Sequence, residues 1–216
     1  MISEFKQIEG LFKEIDTKLG KKVNVYIIGG AALLFEGLKP STKDIDLILE
    51  NSNEFNGFNE ALGALNFKEE TVTPDYSDME LNKIMVREDF RIDAFLKKVC
   101  KKFDLSKDMI DRSKAIIRLK NIIVRKCSNE DIFLFKTMTQ RPGDLDDCIE
   151  LAKRGLHWEV IKKELISQIR SHGQDVWITW IGERLDILIE KGLAIPIIKD
   201  IDKLRDDYYK KLEKKN

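Results

Sequence analysis

The stretch NVYIIGGAALLFEGLKPSTKDIDLILE, residues 24 to 50, decides how the chain is read. The β-branched run VNVYII reads as a short buried strand, and it ends in the pair Gly29-Gly30. AALLFEGL begins a helix immediately after the glycines, and DIDLILE resumes strand character. Side chains alternate faces along a strand, so Asp44 and Asp46 share one face while Ile45 and Leu47 point into the core. Two like charges about 7 Å apart repel. An exposed polar strand face is one solution, and a shared cation is another. A third carboxylate, Asp93, stands isolated in the apolar run FRIDAFL. Three carboxylates from adjacent strands can share a hard divalent cation, and oxygen-only ligands select Mg²⁺ or Mn²⁺ rather than zinc. The glycine pair is either a structural turn or a phosphate cradle, in which backbone N–H groups at a helix start face anionic oxygens.

Around this stretch the chain divides by texture. Ile8, Leu11, Phe12 and Ile15 keep helical spacing, so residues 3 to 19 read as a helix ending at Gly20. Residues 53 to 65 read as a helix capped by Ser52 or Asn53. KIMVREDFRIDAFL has the pattern of a hairpin turning at Glu88-Asp89, and AIIRLKNIIVRKC repeats it around Lys120-Asn121. From Ser128, an N-cap followed by acids, the periodicity is helical. Stops stand at Gly155, Gly173, Gly192 and Pro196. The fold class expected is α+β: a small mixed sheet flanked by helices over residues 1–127, then an α-helical half over 128–216.

The three parts IIGG, TKDIDLIL and RIDAF together resemble the nucleotidyltransferase fold superfamily typified by DNA polymerase β. Its pattern is hG[GS], a gap, Dh[DE]h and a later h[DE]h, which Gly29-Gly30, Asp44-Ile45-Asp46 and Asp93 match in turn. The resemblance implies that Asp44, Asp46 and Asp93 bind metal and are catalytic, with the third acid completing the site. EDIFLFKTMTQRPGDLDDCIELAKRG is similar to the K-x(4)-R-x-x-D-x-x-D segment of small bacterial and archaeal members, including AbiEii-type toxins. That match implies Lys136 and Arg141 at the triphosphate, with Asp144 and Asp147 orienting one of them. The alternative is a snorkelling Lys136 and an Asp144 that only caps a helix. Thr42 and Lys43 are further candidates for nucleotide contact. Two positions depart from the family: Gly30 stands where many relatives carry Ser, and Pro40 where toxin-like members place Arg.

The activity implied is transfer of a nucleoside monophosphate from an NTP such as ATP to a hydroxyl of tRNA or other RNA, a protein or a small molecule, with Mg²⁺ or Mn²⁺. In the toxin version an antitoxin partner is expected. A noncatalytic regulatory or antitoxin-like member, and a metal-free interaction protein, stay open as other classes. Composition is charge-rich but ordinary, with a formal net charge of zero that gives no general drive toward nucleic acid or anionic membrane. No apolar run approaches the roughly 18 residues of a membrane span. The mixed-charge amphipathic start is neither signal nor transit peptide. Cys100, Cys127 and Cys148 are odd in number and widely spaced, which argues for a reducing cytoplasm over a disulfide framework or zinc site. His157 and His172 lack metal-ligand spacing. Trp177 and Trp180 are expected in a helical core. KKFDLSKD reads as a solvated face, and the acids of PDYSDMEL as a rim to the site or a solvent loop.

Overall fold

The computed structural model describes residues 1–71, 83–88, 90–100, 102–139 and 141–214. PDYSDMEL and its acids Asp75, Asp78 and Glu80 lie outside the described residues. The chain separates into two compact units, Met1–Ser128 and Asn129–Asn216.

In the first unit, helix α1 (Phe5–Asp16) opens where the Gln7 side-chain oxygen accepts the Ser3 and Glu4 N–H groups, each at 3.0 Å. It buries Ile8, Leu11, Phe12 and Ile15. Strand β1 (Val23–Ile27) leads through helix α2 (Gly29–Phe35) to β2 (Ile45–Leu49). Helix α3 (Ser52–Ala64) follows. Its cap is Asn51, whose side chain accepts from the Glu54 N–H at 3.0 Å, one residue ahead of the expected position. The short β3 (Lys68–Glu69) precedes β4 (Lys83–Arg87) and β5 (Phe90–Leu96), which pair antiparallel with Arg87 opposite Phe90; Asp89 of the expected turn lies outside the described residues. β8 (Lys114–Arg118) and β9 (Ile122–Lys126) form the second hairpin, and Asp16 accepts the Asn121 N–H at its turn at 2.6 Å.

These strands form one mixed sheet in the order β3-β4-β5-β2-β1-β9-β8. β2 runs antiparallel to β1 but parallel to β5, and β1 runs parallel to β9. One face is apolar: Val23, Val25 and Ile27 of β1, Ile45, Leu47 and Leu49 of β2, and Ile92 and Ala94 of β5 share a core with α1 and with Phe58 and Leu62 of α3. A one-residue slip of β2 would put Asp46 into that core, so the apolar face fixes the register.

In the segment read as a solvated face, the described charged side chains are half-buried or exposed, but Phe103 and Leu105 between them are buried. Residues 98–112 carry a two-stranded ribbon, β6 (Lys98–Val99) with β7 (Phe103–Asp104), and helix α4 (Lys107–Arg112) capped by Ser106. Phe103 and Met109 are fully buried. Val99, Cys100, Phe103, Leu105 and Met109 anchor it from among charged neighbours, at irregular spacings that fit neither a strand nor a helix period.

The second unit is helical, with α5 (Asn129–Thr137), α6 (Pro142–Lys153), α7 (Trp158–His172), α8 (Trp177–Glu190) and α9 (Ile198–Glu213). Gly155, Gly173 and Gly192 stop helices with positive φ, as C-terminal glycines do. Trp177 packs in the core beside the His172 ring, with centroids 5.2 Å apart. Trp180, expected there too, is 42% exposed. Three residues turn a helix by about 300°, which sets the second ring to one side of the apolar stripe. Cys100, Cys127 and Cys148 are all buried. No helix among the described residues is long and apolar enough to cross a membrane.

Candidate nucleotidyl-transfer site

The carboxylates of the first unit sit on the sheet face opposite the core. Asp46 and Asp93 are register partners on the parallel strands β2 and β5, so their side chains stand side by side. Both are buried, Asp93 completely. Asp44 immediately precedes β2 and is half-buried, and Thr42 donates its hydroxyl to the Asp44 carbonyl at 3.0 Å. Thr42 is itself fixed by backbone bonds to Ile2 in both directions, each 2.8 Å. Lys43 is exposed.

The glycine pair is packed against these acids. The Ile28 N–H donates to the Asp46 carbonyl at 3.0 Å. Gly29 has φ +60, and a β-carbon there would come within 2.0 Å of Asp46 Oδ2. A β-carbon on Gly30 would lie 2.3 Å from Thr42 Oγ1. Both glycines are therefore required by the approach of the acid-bearing strand to the start of α2, whatever ligand is bound. The glycines, Thr42 and Asp46 form one contiguous corner.

Asp44 and Asp46 supply hard oxygen donors two residues apart, the chemistry a divalent cation needs. The third carboxylate is held otherwise. Arg91, two residues before Asp93 on the same strand face, forks onto it: Nε to Oδ1 at 2.8 Å and Nη2 to Oδ2 at 3.2 Å. Among the described residues no three acid, His or Cys side chains are arranged as a ready cage for a metal ion. Arg91 is the site residue that sequence reading missed. Its signal was the i, i+2 spacing to Asp93 in FRID, the same alternation that pairs Asp44 with Asp46.

The candidate residues of the second unit form a separate cluster. Lys136 is buried on α5, and its ammonium is held by Asp144 at 2.7 Å and Asp147 at 2.8 Å. Burial alone would lower its pKa; the two carboxylates outweigh that and raise it. Asp144 also accepts from Thr139 Oγ1 at 2.5 Å and from Arg141 Nε at 3.0 Å. Burial pushes its carboxyl pKa up, but Lys136 and Arg141 overcome this and bring it down to about 2. Arg141 occupies the cap position of α6, with its side chain 40% exposed. Asp144 is therefore not the N-cap; it is the common acceptor that ties Lys136, Thr139 and Arg141 together. Lys136 lies under this network and Arg141 at its surface.

A family model described as a nucleotidyltransferase of unknown function (DUF6036) matches residues 4–177. No curated protein matches the chain significantly. Among solved structures, the chain is similar to the crystal structure of ANT(2")-Ia in complex with adenylyl-2"-tobramycin, at 13% identity and a TM-score of 0.50. The similarity covers 78% of this chain and 98% of that one. At that identity it speaks for the fold, which agrees with the α+β class read from the sequence. With the family match running through both the acid-bearing sheet and most of the helical half, the chain belongs to this nucleotidyltransferase family.

Proposed function

We propose that the protein transfers a nucleoside monophosphate from an NTP to a hydroxyl acceptor, with Mg²⁺ or Mn²⁺ at Asp44 and Asp46. The observation that carries this reading is the side-by-side register of Asp46 and Asp93 at the corner where Gly29 and Gly30 leave no room for a β-carbon. The rigid strand holds the acids, and the backbone at the start of α2 offers its N–H groups to phosphate oxygens. A divalent ion there would lower the pKa of the attacking hydroxyl and neutralise charge on the leaving pyrophosphate. Thr42 fixes the Asp44 backbone, so the two acids arrive pre-positioned. Catalysis rests on that placement and on charge neutralisation. Arg141, anchored by Asp144 and open to solvent, is suited to pair with a phosphate oxygen, while Lys136 acts by holding the network.

The ANT(2")-Ia complex holds an adenylylated tobramycin. That supports including small-molecule hydroxyls among the acceptors beside RNA and protein, and a toxin role with an antitoxin partner remains a version of the same chemistry. The test incubates the protein with each α-labelled NTP, Mg²⁺ or Mn²⁺, and in turn total RNA, a protein extract and an aminoglycoside panel. Label appearing on one acceptor class supports the reading and names the class. No transfer to any acceptor, with no metal-dependent nucleotide binding, overturns it.

A further inference from the structure

We infer that Arg91 is a built-in counter-ion for Asp93, which holds the third carboxylate when no cation is bound and competes with a divalent ion for it. The inference rests on the reading of Asp44, Asp46 and Asp93 as a metal site. Asp93 is fully buried between β2 and β4, a place where a lone carboxylate is costly. Arg91 satisfies both of its oxygens through a planar fork, the arrangement in which guanidinium–carboxylate pairs are strongest. A cation reaching Asp93 therefore competes with the guanidinium for the lone pairs of its two oxygens.

The surroundings of Arg91 allow that exchange. Its side chain is 22% exposed, so it has a way toward solvent that Asp93 lacks. Glu70, 55% exposed, stands 3.9 Å from Arg91 Nη1 and offers a second anion on the solvent side. The guanidinium can pass from Asp93 toward Glu70 without losing a carboxylate partner. Arg91 thereby keeps the cation-free sheet folded and sets how tightly the third carboxylate takes metal. It is a positioning residue for Asp93.

The test is Mn²⁺ titration without nucleotide, followed by the electron paramagnetic resonance of free Mn²⁺. It compares wild type, Arg91→Met, Asp93→Asn and the double variant. Arg91→Met is expected to bind Mn²⁺ about ten-fold more tightly, the fold-change equivalent to removing one charge-assisted hydrogen-bonded competitor. Its melting temperature is expected to fall in chelator and to rise with Mn²⁺ by more than that of wild type. In the Asp93→Asn background the gain should vanish. Should Arg91→Met not fold, Arg91→Lys keeps the charge but loses the fork, and a smaller gain is expected. Equal affinities in wild type and both Arg91 variants would overturn the inference. So would an equal gain in the Asp93→Asn background, which would make Arg91 a distant charge acting on Asp44 and Asp46. Absence of Mn²⁺ binding in every variant, wild type with NTP included, would instead remove the metal site itself and the inference with it.

Discussion

At the residue scale, the geometry of the glycine corner makes unequal demands on its two members. At Gly29 an added methyl meets Asp46 Oδ2 at 2.0 Å and the backbone has φ +60, so there is neither space nor a comfortable conformation for a side chain. Gly29→Ala is expected to cost about 1–3 kcal/mol from backbone strain, plus the displacement of Asp46, and to abolish transfer. Thermal melting and the labelled-NTP assay read the two effects separately. At Gly30 no φ strain applies and the obstacle is the Thr42 hydroxyl at 2.3 Å. Gly30→Ala should therefore be less destabilising in a Thr42→Ala background than in the wild type, and a double-mutant cycle of melting free energies checks this. Asp44, Asp46, Gly29 and Gly30 were all legible, because a carboxylate pair at i, i+2 beside a strand-ending glycine pair is a pattern of residue types. Arg91 was not. One basic residue in an alternating strand looks like any solvent-side charge until the hydrogen bonds show its guanidinium forked onto Asp93.

At the scale of elements, ion pairs link α5 to α6 in addition to apolar packing. Because the folded pKa of Asp144 is depressed to about 2, its contribution is present above the ordinary carboxylate range and is lost as pH falls from about 4 toward 2. The loss amounts to about 2 kcal/mol, read as a fall in unfolding free energy by chemical denaturation across that window. Asp144→Asn should flatten this part of the profile. Lys136→Met leaves Asp144 and Asp147 buried without their cation and is expected to cost about 3–5 kcal/mol, measured in the same way at neutral pH. Both hairpins, the acid-bearing strand and the glycine stops of the helical half were readable, because each carries a dense local signal of alternation, turn residues or helical period. The β6–β7 ribbon and α4 were not, because Val99, Cys100, Phe103, Leu105 and Met109 stand at irregular spacings among charged neighbours and set no period. The capping residue of α3 fell one place early for a simpler reason. Asn51, Ser52 and Asn53 are all good caps in sequence, so residue type alone does not choose among them.

For the molecule as a whole, the sheet order joins β1 to β9 and β2 to β5, pairs far apart in the sequence of the first unit. Pairings of such separation leave no trace in local pattern, so the longer strands could be read and their order could not. It is this order, with β5 parallel beside β2, that brings Asp93 next to Asp46. The functional claim is therefore tested most directly at Asp46, where Asp46→Asn changes charge with little change of volume. Calorimetric titration of Mn²⁺ together with a non-hydrolysable NTP should show saturable binding to the wild type. The folded Asp46→Asn variant should bind at least ten-fold more weakly, roughly the loss of one charged ligand. Binding by that variant equal to wild type would contradict the site.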